Sequence, residues 1–241
     1  MEQEQPTSKK PLDSKLISQS IIVAGLLIAG AILLKGSVGP SAPVVNDELN
    51  DISTLEINPV TAEDHIFGNP EASIMVVEYS DTECPYCKSF HATMHRLIAE
   101  KGDDIAWVYR HYPVPELHQK AFKESLASEC AWEQGGNQGF WTYIDEIYSR
   151  TESNDRLPDE ALGQIAQSMN LNMTTFNDCL DNGKYADKLT ASMEEGLWVG
   201  QQLFGRGLGT PTSIVIKDGT VVDLIPGALP YENVLEIVSK Y

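Results

Sequence analysis

The pattern of apolar and polar positions divides the chain into unequal parts. Between Leu16 and Leu34 only Ser18, Gln19 and Ser20 are polar, and from Ile21 to Leu34 every residue is apolar or glycine. A run of that length can cross a bilayer as a helix. Lys9, Lys10 and Lys15 stand before it and only Lys35 follows closely. The positive-inside bias therefore predicts a cytoplasmic tail over 1–15, one transmembrane anchor over 16–35, and export of everything that follows. A cleaved signal peptide is the competing reading, but its small-residue site, Ala29-Gly30-Ala31, falls inside the run with Ile32-Leu33-Leu34 still to come. Residues 36–52 combine Gly, Pro, Ser and acids without apolar periodicity, which predicts a flexible linker.

The remainder, 53–241, has the patterning of one folded domain. Leu55-Glu56-Ile57 alternates as a short strand, and Ile74 to Tyr79 is a near-continuous apolar run of the buried-strand type, interrupted by Glu78. From Cys84 to Glu100, Phe90, Met94, Leu97 and Ile98 recur at helical spacing ahead of Gly102, and Ile105 to Tyr109 returns to a strand. Between Leu117 and about Phe204 the spacing stays helical, with Gly135-Gly136, Pro158 and Gly183 cutting the stretch into four or five helices. Ser213 to Ile216 and Val221 to Ile225 flank an Asp218-Gly219 turn, the signature of a hairpin. Tyr231 to Tyr241 closes as a helix. The order of elements predicts an α/β domain that carries a long helical block.

Composition sets bounds on what such a domain does. Of 241 residues, 42% are apolar and 22% charged, an ordinary globular balance that excludes disorder and collagen. Acids outnumber bases 35 to 17, a net charge of −18; with residues 1–35 set aside, 13 bases and 32 acids remain, or −19. No basic stripe is present, so no nucleic-acid partner is expected. Four cysteines are too few to replace a core with disulfides, yet their even number and one close pair point to redox or metal chemistry.

The close pair is Cys84-Pro85-Tyr86-Cys87, placed where a strand passes into a helix. A cysteine at a helix N-terminus meets unpaired N–H groups and the positive end of the dipole, both of which favour a thiolate. Pro85 suits a first helical turn, where no hydrogen bond is lost. The second sulfur faces inward and can resolve a mixed disulfide formed at the first, which completes a thiol–disulfide exchange cycle. The competing reading is zinc. An all-cysteine site needs a second close pair, and Cys130 and Cys179 stand 49 apart, but His91 and His95 follow Cys87 at spacings of four and allow a two-cysteine, two-histidine cluster. Ordinary packing is the stronger expectation for both histidines, and neither a metal nor a cofactor is expected.

From about Asp64 to the C-terminus the chain resembles the DsbA family of exported, thioredoxin-fold thiol:disulfide oxidoreductases. The resemblance rests on an ordered set of fragments: Asp64-His65-Ile66-Phe67-Gly68, Glu78-Tyr79-Ser80-Asp81 running into the CPYC motif, Arg110-His111-Tyr112-Pro113 with His118, Cys130-Ala131-Trp132-Glu133-Gln134-Gly135, and Gly209-Thr210-Pro211-Thr212. It implies a thioredoxin-like fold over 53–241 with a helical insertion at about 115–200. It also implies a buried acid at Glu78 that relays a proton to or from Cys87, against the alternative of a strand Glu whose side chain escapes to solvent. Thr210-Pro211 matches the cis-proline loop that borders the extended peptide substrate. Cys130 and Cys179, both on apolar helical faces, are expected to form a structural disulfide in an oxidising compartment, the alternative being two packed thiols.

The same resemblance implies a bacterial, membrane-anchored enzyme with its catalytic domain on the periplasmic or extracellular side. Its expected partners are exported proteins with free thiols and a quinone-coupled membrane oxidase that resets the disulfide, and a monomer is expected. Tyr86 stands where the strongest oxidants of the family carry His, and Pro-Tyr also occurs in glutaredoxins, which reduce. Helix-end stabilisation of Cys84, opposed by nearby Asp81 and Glu83, predicts a thiol pKa of about 4.5 to 6 and a potential of roughly −130 to −200 mV. The expected activity is a DsbA-like oxidase that donates the Cys84–Cys87 disulfide. A reductase or isomerase on the same fold, and a non-enzymatic metal carrier or tethered chaperone, are the alternatives.

Overall fold

A computed structural model describes residues 52–241. The expected tail, anchor and nearly all of the linker lie outside the described residues. Among the described residues, no helix is long and apolar enough to cross a membrane.

Two adjacent strands, β2 (Ile74–Ser80) and β3 (Ile105–His111), run parallel at the centre of a five-stranded sheet. Helix α1 (Pro85–Lys101) connects them, as parallel neighbours require a crossover. β1 (His65–Gly68) pairs antiparallel with β3, while β4 (Thr212–Lys217) and β5 (Thr220–Pro226) add antiparallel on the β2 side, giving the order β1-β3-β2-β4-β5. The hairpin turns at Asp218 and Gly219, whose φ values of 48° and 81° suit the mirror-image turn that antiparallel strands prefer. Between β3 and β4 lie α2 (Ala121–Arg150), α3 (Ala161–Ser168), α4 (Met173–Asp181) and α5 (Ala186–Phe204), and α6 (Tyr231–Val238) ends the chain. Gly136, at φ 60° and ψ −154°, breaks α2 into two helical segments.

Side-chain alternation along the strands builds two cores. Val76, Trp107, Tyr109, Val215 and Ile225 pack with α1, the α2–α4 block and α6; Val77, Tyr79, Val108, Ile214 and Leu224 pack with Val199 of α5 and with Leu55. Cys130 of α2 and Cys179 of α4 form a disulfide inside the first core, with Cα atoms 5.8 Å apart.

The start of the domain departs from expectation. Leu55 to Ile57 is not a strand. Its backbone is satisfied by side chains instead: Glu56 N–H donates to Gln202 Oε1 at 3.1 Å, and Gln202 Nε2 donates to Glu56 O at 2.9 Å. The first strand is His65–Gly68, too short to show a period, and Gly68 at φ 99° ends it where a Cβ would press on Ile98 and on the Ile105 carbonyl. Ile52, the first described residue, begins a short helical turn at Ile52–Thr54.

Because the Cys130–Cys179 bond closes a loop of 49 residues, replacing both cysteines with alanine should cost about 2–4 kcal/mol of stability. Urea unfolding under non-reducing conditions measures this. A loss below about 1 kcal/mol would mean that packing alone secures the helical block.

Candidate active site

The CPYC segment is the junction of β2 and α1. Cys84 is the N-cap, with extended backbone angles (φ −76°, ψ 121°) and no side-chain capping bond, and Pro85 begins the helix. The first-turn N–H groups therefore face the Cys84 sulfur. Pro85 and Tyr86 are exposed, the latter by 66%, whereas Cys84 is only 4% exposed and Cys87 is fully buried. Both thiols are free. Cys84 lies against the loop before β4. The Thr210-Pro211 bond is cis, and Cys84 Sγ donates to the Thr210 carbonyl at 3.3 Å. That same carbonyl lies beside the reactive sulfur, where an extended peptide would pair.

The environment drives the two thiols apart. A hydrogen bond from Cys87 lowers the Cys84 pKa to about 6 against the opposing effect of burial, with Thr210 and the backbone N–H groups of Cys87 and Tyr86 adding to the lowering. Burial raises Cys87 well above the ordinary thiol value, and the charges of Cys84 and Glu78 add to this. Cys84 is the sulfur that is ionised at neutral pH, and ionised sulfur is the nucleophile.

Behind Cys87 the strand positions Glu78, which is 1% exposed and accepts a hydrogen bond from Trp107 Nε1 at 2.8 Å. Its side chain does not escape to solvent. Burial lifts its pKa to about 7, opposed by hydrogen bonds from Ser80 and Trp107. A carboxyl poised near neutrality beside a high-pKa thiol suits proton exchange with it.

Asp81 and Glu83 are not bare charges facing Cys84. Asp81 accepts from His118 Nδ1 at 2.9 Å, from Val114 N–H at 2.8 Å and from Glu83 N–H at 2.8 Å. Glu83 accepts from Thr151 Oγ1 at 2.9 Å and from the N–H groups of Arg156 and Leu157, both at 3.3 Å. Burial alone would pull His118 down, but its bond to Asp81, and the charges of Asp81 and Cys84, carry its pKa above the ordinary imidazole value. A histidine whose charged form is favoured thus interacts with Cys84 even though the dipeptide carries Tyr86 in place of histidine. Sequence reasoning quoted His118 without giving it a role, because the partner that charges it lies 37 residues away. Glu124 was missed altogether. It accepts from Thr82 Oγ1 at 2.6 Å, and burial, with the Glu83 charge adding to it, raises its pKa to about 8.

The remaining polar fragments build a frame. Arg110 is 6% exposed and pairs with Asp64 at 2.9 Å and Glu195 at 2.7 Å, while also donating to the carbonyls of Asn58 and Pro59. Next to the Arg110 network, a cleft of about 630 Å³ is lined by Tyr112, Pro113, Val114, Phe122, Met193 and Leu197. Leu117, in the loop that carries Val114, is 70% exposed. His91 and His95 turn toward Asp145 on α2 rather than toward the cysteines, so no two-cysteine, two-histidine cluster forms among the described residues.

Comparison with known proteins agrees with this architecture. The sequence model of the Thioredoxin family matches residues 60–222. Among solved structures, DsbA2 of Pseudomonas aeruginosa superposes with a TM-score of 0.60 at 23% identity, covering 73% of this chain and 93% of that one. BdbD of Bacillus subtilis, in its oxidised form, gives 0.62 at 21% identity over 76% and 94%, and alpha-DsbA1 of Wolbachia pipientis gives 0.61 at 18% over 76% and 92%. Identities this low speak to the fold alone. Curated relatives include the Na(+)/H(+) antiporter NhaA 1 of Mycolicibacterium gilvum, 36% identical over 97 residues, or 40% of this chain and 15% of that protein. The antiporter NhaA of Herminiimonas arsenicoxydans is 31% identical over 158 residues, or 65% of this chain and 23% of its own length. The chain thus spans less than a quarter of the length of these relatives.

Two predictions follow from the electrostatics. A buried acid whose pKa rises from 4.5 to about 7 stabilises the fold fully below pH 4.5, and that contribution is lost as pH climbs through 7. Glu78→Gln should therefore remove up to about 3 kcal/mol of the loss in stability between pH 5 and 8, read from denaturant midpoints of reduced wild type and variant. An unchanged slope would place the charged carboxylate in water. Separately, His118→Gln should raise the Cys84 pKa by about half a unit, measured from the pH dependence of alkylation; a fall would show that the imidazole is neutral.

Proposed function

The chain belongs to the thioredoxin family, and on that premise we propose that it is an exported, membrane-tethered thiol:disulfide oxidase that donates the Cys84–Cys87 disulfide to exported proteins. The observation that carries this reading is the split between an ionised Cys84 at the helix end and a buried, high-pKa Cys87 beside Glu78.

In the oxidised enzyme a client thiolate attacks Cys84 Sγ. The bond between the two enzyme sulfurs breaks, and Cys87 leaves with the electron pair. Its high pKa makes Cys87 a poor free thiolate, so Glu78 in its acid form supplies the proton, and the carboxylate formed exchanges that proton back later. The Thr210 carbonyl and the apolar cleft hold the client as an extended segment while its second thiolate attacks the sulfur bound to Cys84. Cys84 then leaves as a thiolate, which its hydrogen bonds and His118 stabilise. Two electrons have passed from client to enzyme, and the client carries the disulfide. A quinone-coupled membrane oxidase, reached by an enzyme anchored through residues 16–35, is the proposed acceptor of those electrons. The chemistry of the step needs only sulfur and protons.

Stabilising the leaving thiolate is also what sets direction, since each unit of pKa is about 1.4 kcal/mol, or about 30 mV for two electrons. A Cys84 pKa of about 6 lies between thioredoxin near ~7 and DsbA near ~3.5, on the weakly oxidising side. Equilibration with glutathione tests the reading. A potential above about −240 mV supports the oxidase, and one below it assigns the enzyme to reduction.

Cysteine variants test the order of events. Cys84→Ala should abolish exchange with reduced ribonuclease, and Cys87→Ala should accumulate mixed disulfides with clients through Cys84. Faster alkylation of Cys87 than of Cys84 in the reduced protein would reverse the assignment.

A further inference from the structure

Helix α1 carries a second constellation that the exchange chemistry does not use. His91 and His95 stand four residues apart and so share one helical face, and Asp145, on the second segment of α2, meets them there. His91 Nε2 lies 2.7 Å and His95 Nε2 2.8 Å from the same oxygen, Asp145 Oδ1, while the two nitrogens are 3.1 Å apart. The donors thus form a nearly equilateral triangle drawn from two helices. A transition-metal ion about 2.1 Å from imidazole and carboxylate donors spaces neighbouring ligand atoms about 3 Å apart at right angles and about 3.4 Å apart in a tetrahedron. The triangle matches one face of the former and reaches the latter when its edges open by about 0.3 to 0.7 Å.

Two further observations favour a cation at this place. The ring of Phe67 contacts His95 with centroids 4.7 Å apart, and Trp107 and Tyr148 contact His91 at 5.0 and 4.5 Å, so both imidazoles are held by packing before any ion arrives. The cluster is also reachable: it lines a cleft with Lys88, Ala92 and Tyr148, and the side chains of His95 and Asp145 are 31% and 44% exposed. The other histidine–carboxylate cluster, His65, His111 and Glu129, lacks that opening for a metal. The Lys188 ammonium already sits 2.8 Å from Glu129 Oε2 and 3.3 Å from His65 Nε2.

We propose that His91, His95 and Asp145 bind one divalent transition-metal ion of the zinc class through both Nε2 atoms and the carboxylate, with the remaining positions open to water. Two imidazoles disfavour calcium and magnesium, which prefer oxygen. The ion would tie α1, which begins at the reactive cysteine, to the second segment of α2. It replaces two imidazole–carboxylate hydrogen bonds that compete for one oxygen.

The test uses the full-length protein without a histidine tag and with Cys84–Cys87 oxidised, so that neither thiol can ligate. Cobalt(II) is titrated by visible absorption and zinc(II) by competition and by the thermal midpoint. One equivalent should bind with a dissociation constant on the order of micromolar or tighter, with a nitrogen–oxygen spectrum free of thiolate charge transfer and a raised midpoint. His95→Ala and Asp145→Asn, both at partly exposed positions, should each weaken binding at least about tenfold. Absence of saturable binding, binding undiminished in both variants, or binding confined to the reduced protein would each overturn the proposal.

Discussion

Two sulfurs of the same residue type, three positions apart, must hold opposite protonation states for exchange to turn over. That constraint organises the domain. One helix start meets it, because the N-cap position gives Cys84 the unpaired N–H groups while the inward turn leaves Cys87 among apolar atoms. The separation reinforces itself: the Cys87 thiol donates to the Cys84 sulfur, which lowers one pKa and raises the other. Everything behind the motif is then needed to keep water from Cys87 while leaving it a proton partner. Glu78 serves because β2 is central in the sheet and its neighbour strand supplies Trp107 to hold the carboxyl in place.

Keeping that region dry has an electrostatic cost. Glu78, Asp81, Glu83, Glu124 and Glu129 are all buried, and unpaired carboxylates in such a setting would cost several kcal/mol each. The fold offsets this in two ways. Asp81 is met by His118 and by the N–H groups of Val114 and Glu83, and Glu129, held ionised, by His65, His111 and Lys188. Glu78 and Glu124 instead hold their protons toward neutral pH. In an acidic protein of net charge −18, Arg110 is the one arginine or lysine buried among the described residues, and it fastens the segment before β1.

How much of this was legible in the sequence varies with the range of the interaction responsible. The strand–CPYC–helix junction, the helical block and the Asp-Gly hairpin are local patterns, and each corresponds to an observed element. β1 escaped notice because four residues cannot display a period, and Leu55 to Ile57 misled because its alternation reports burial of Leu55 without any pairing strand. Long-range pairs were the least visible. His118 finds Asp81 at a separation of 37 residues, and His91 and His95 find their carboxylate 54 and 50 residues away; no spacing rule connects such positions. The ordered fragments of the DsbA resemblance pointed at Arg110, His111 and His118, but only the folded chain shows that the first two belong to the buried frame and the third to the cysteine.

The two cysteine pairs of this chain show why sulfur chemistry follows position more than composition. Cys130 and Cys179 lie at the meeting of α2 and α4, 1% and 4% exposed, with no helix start aimed at either. An attacking thiolate would find neither access nor a stabilised leaving group there, so that bond serves the fold. At the CPYC motif, exposure is equally low, 4% for Cys84, and burial alone cannot distinguish the pairs. The difference lies in what surrounds the sulfur that must depart. Cys84 leaves into hydrogen bonds from the Cys87 thiol, the Thr210 side chain and the backbone N–H groups of the first helical turn. A disulfide is labile where the protein stabilises one thiolate product and where a client backbone can reach it; this chain supplies both conditions at one pair and neither at the other.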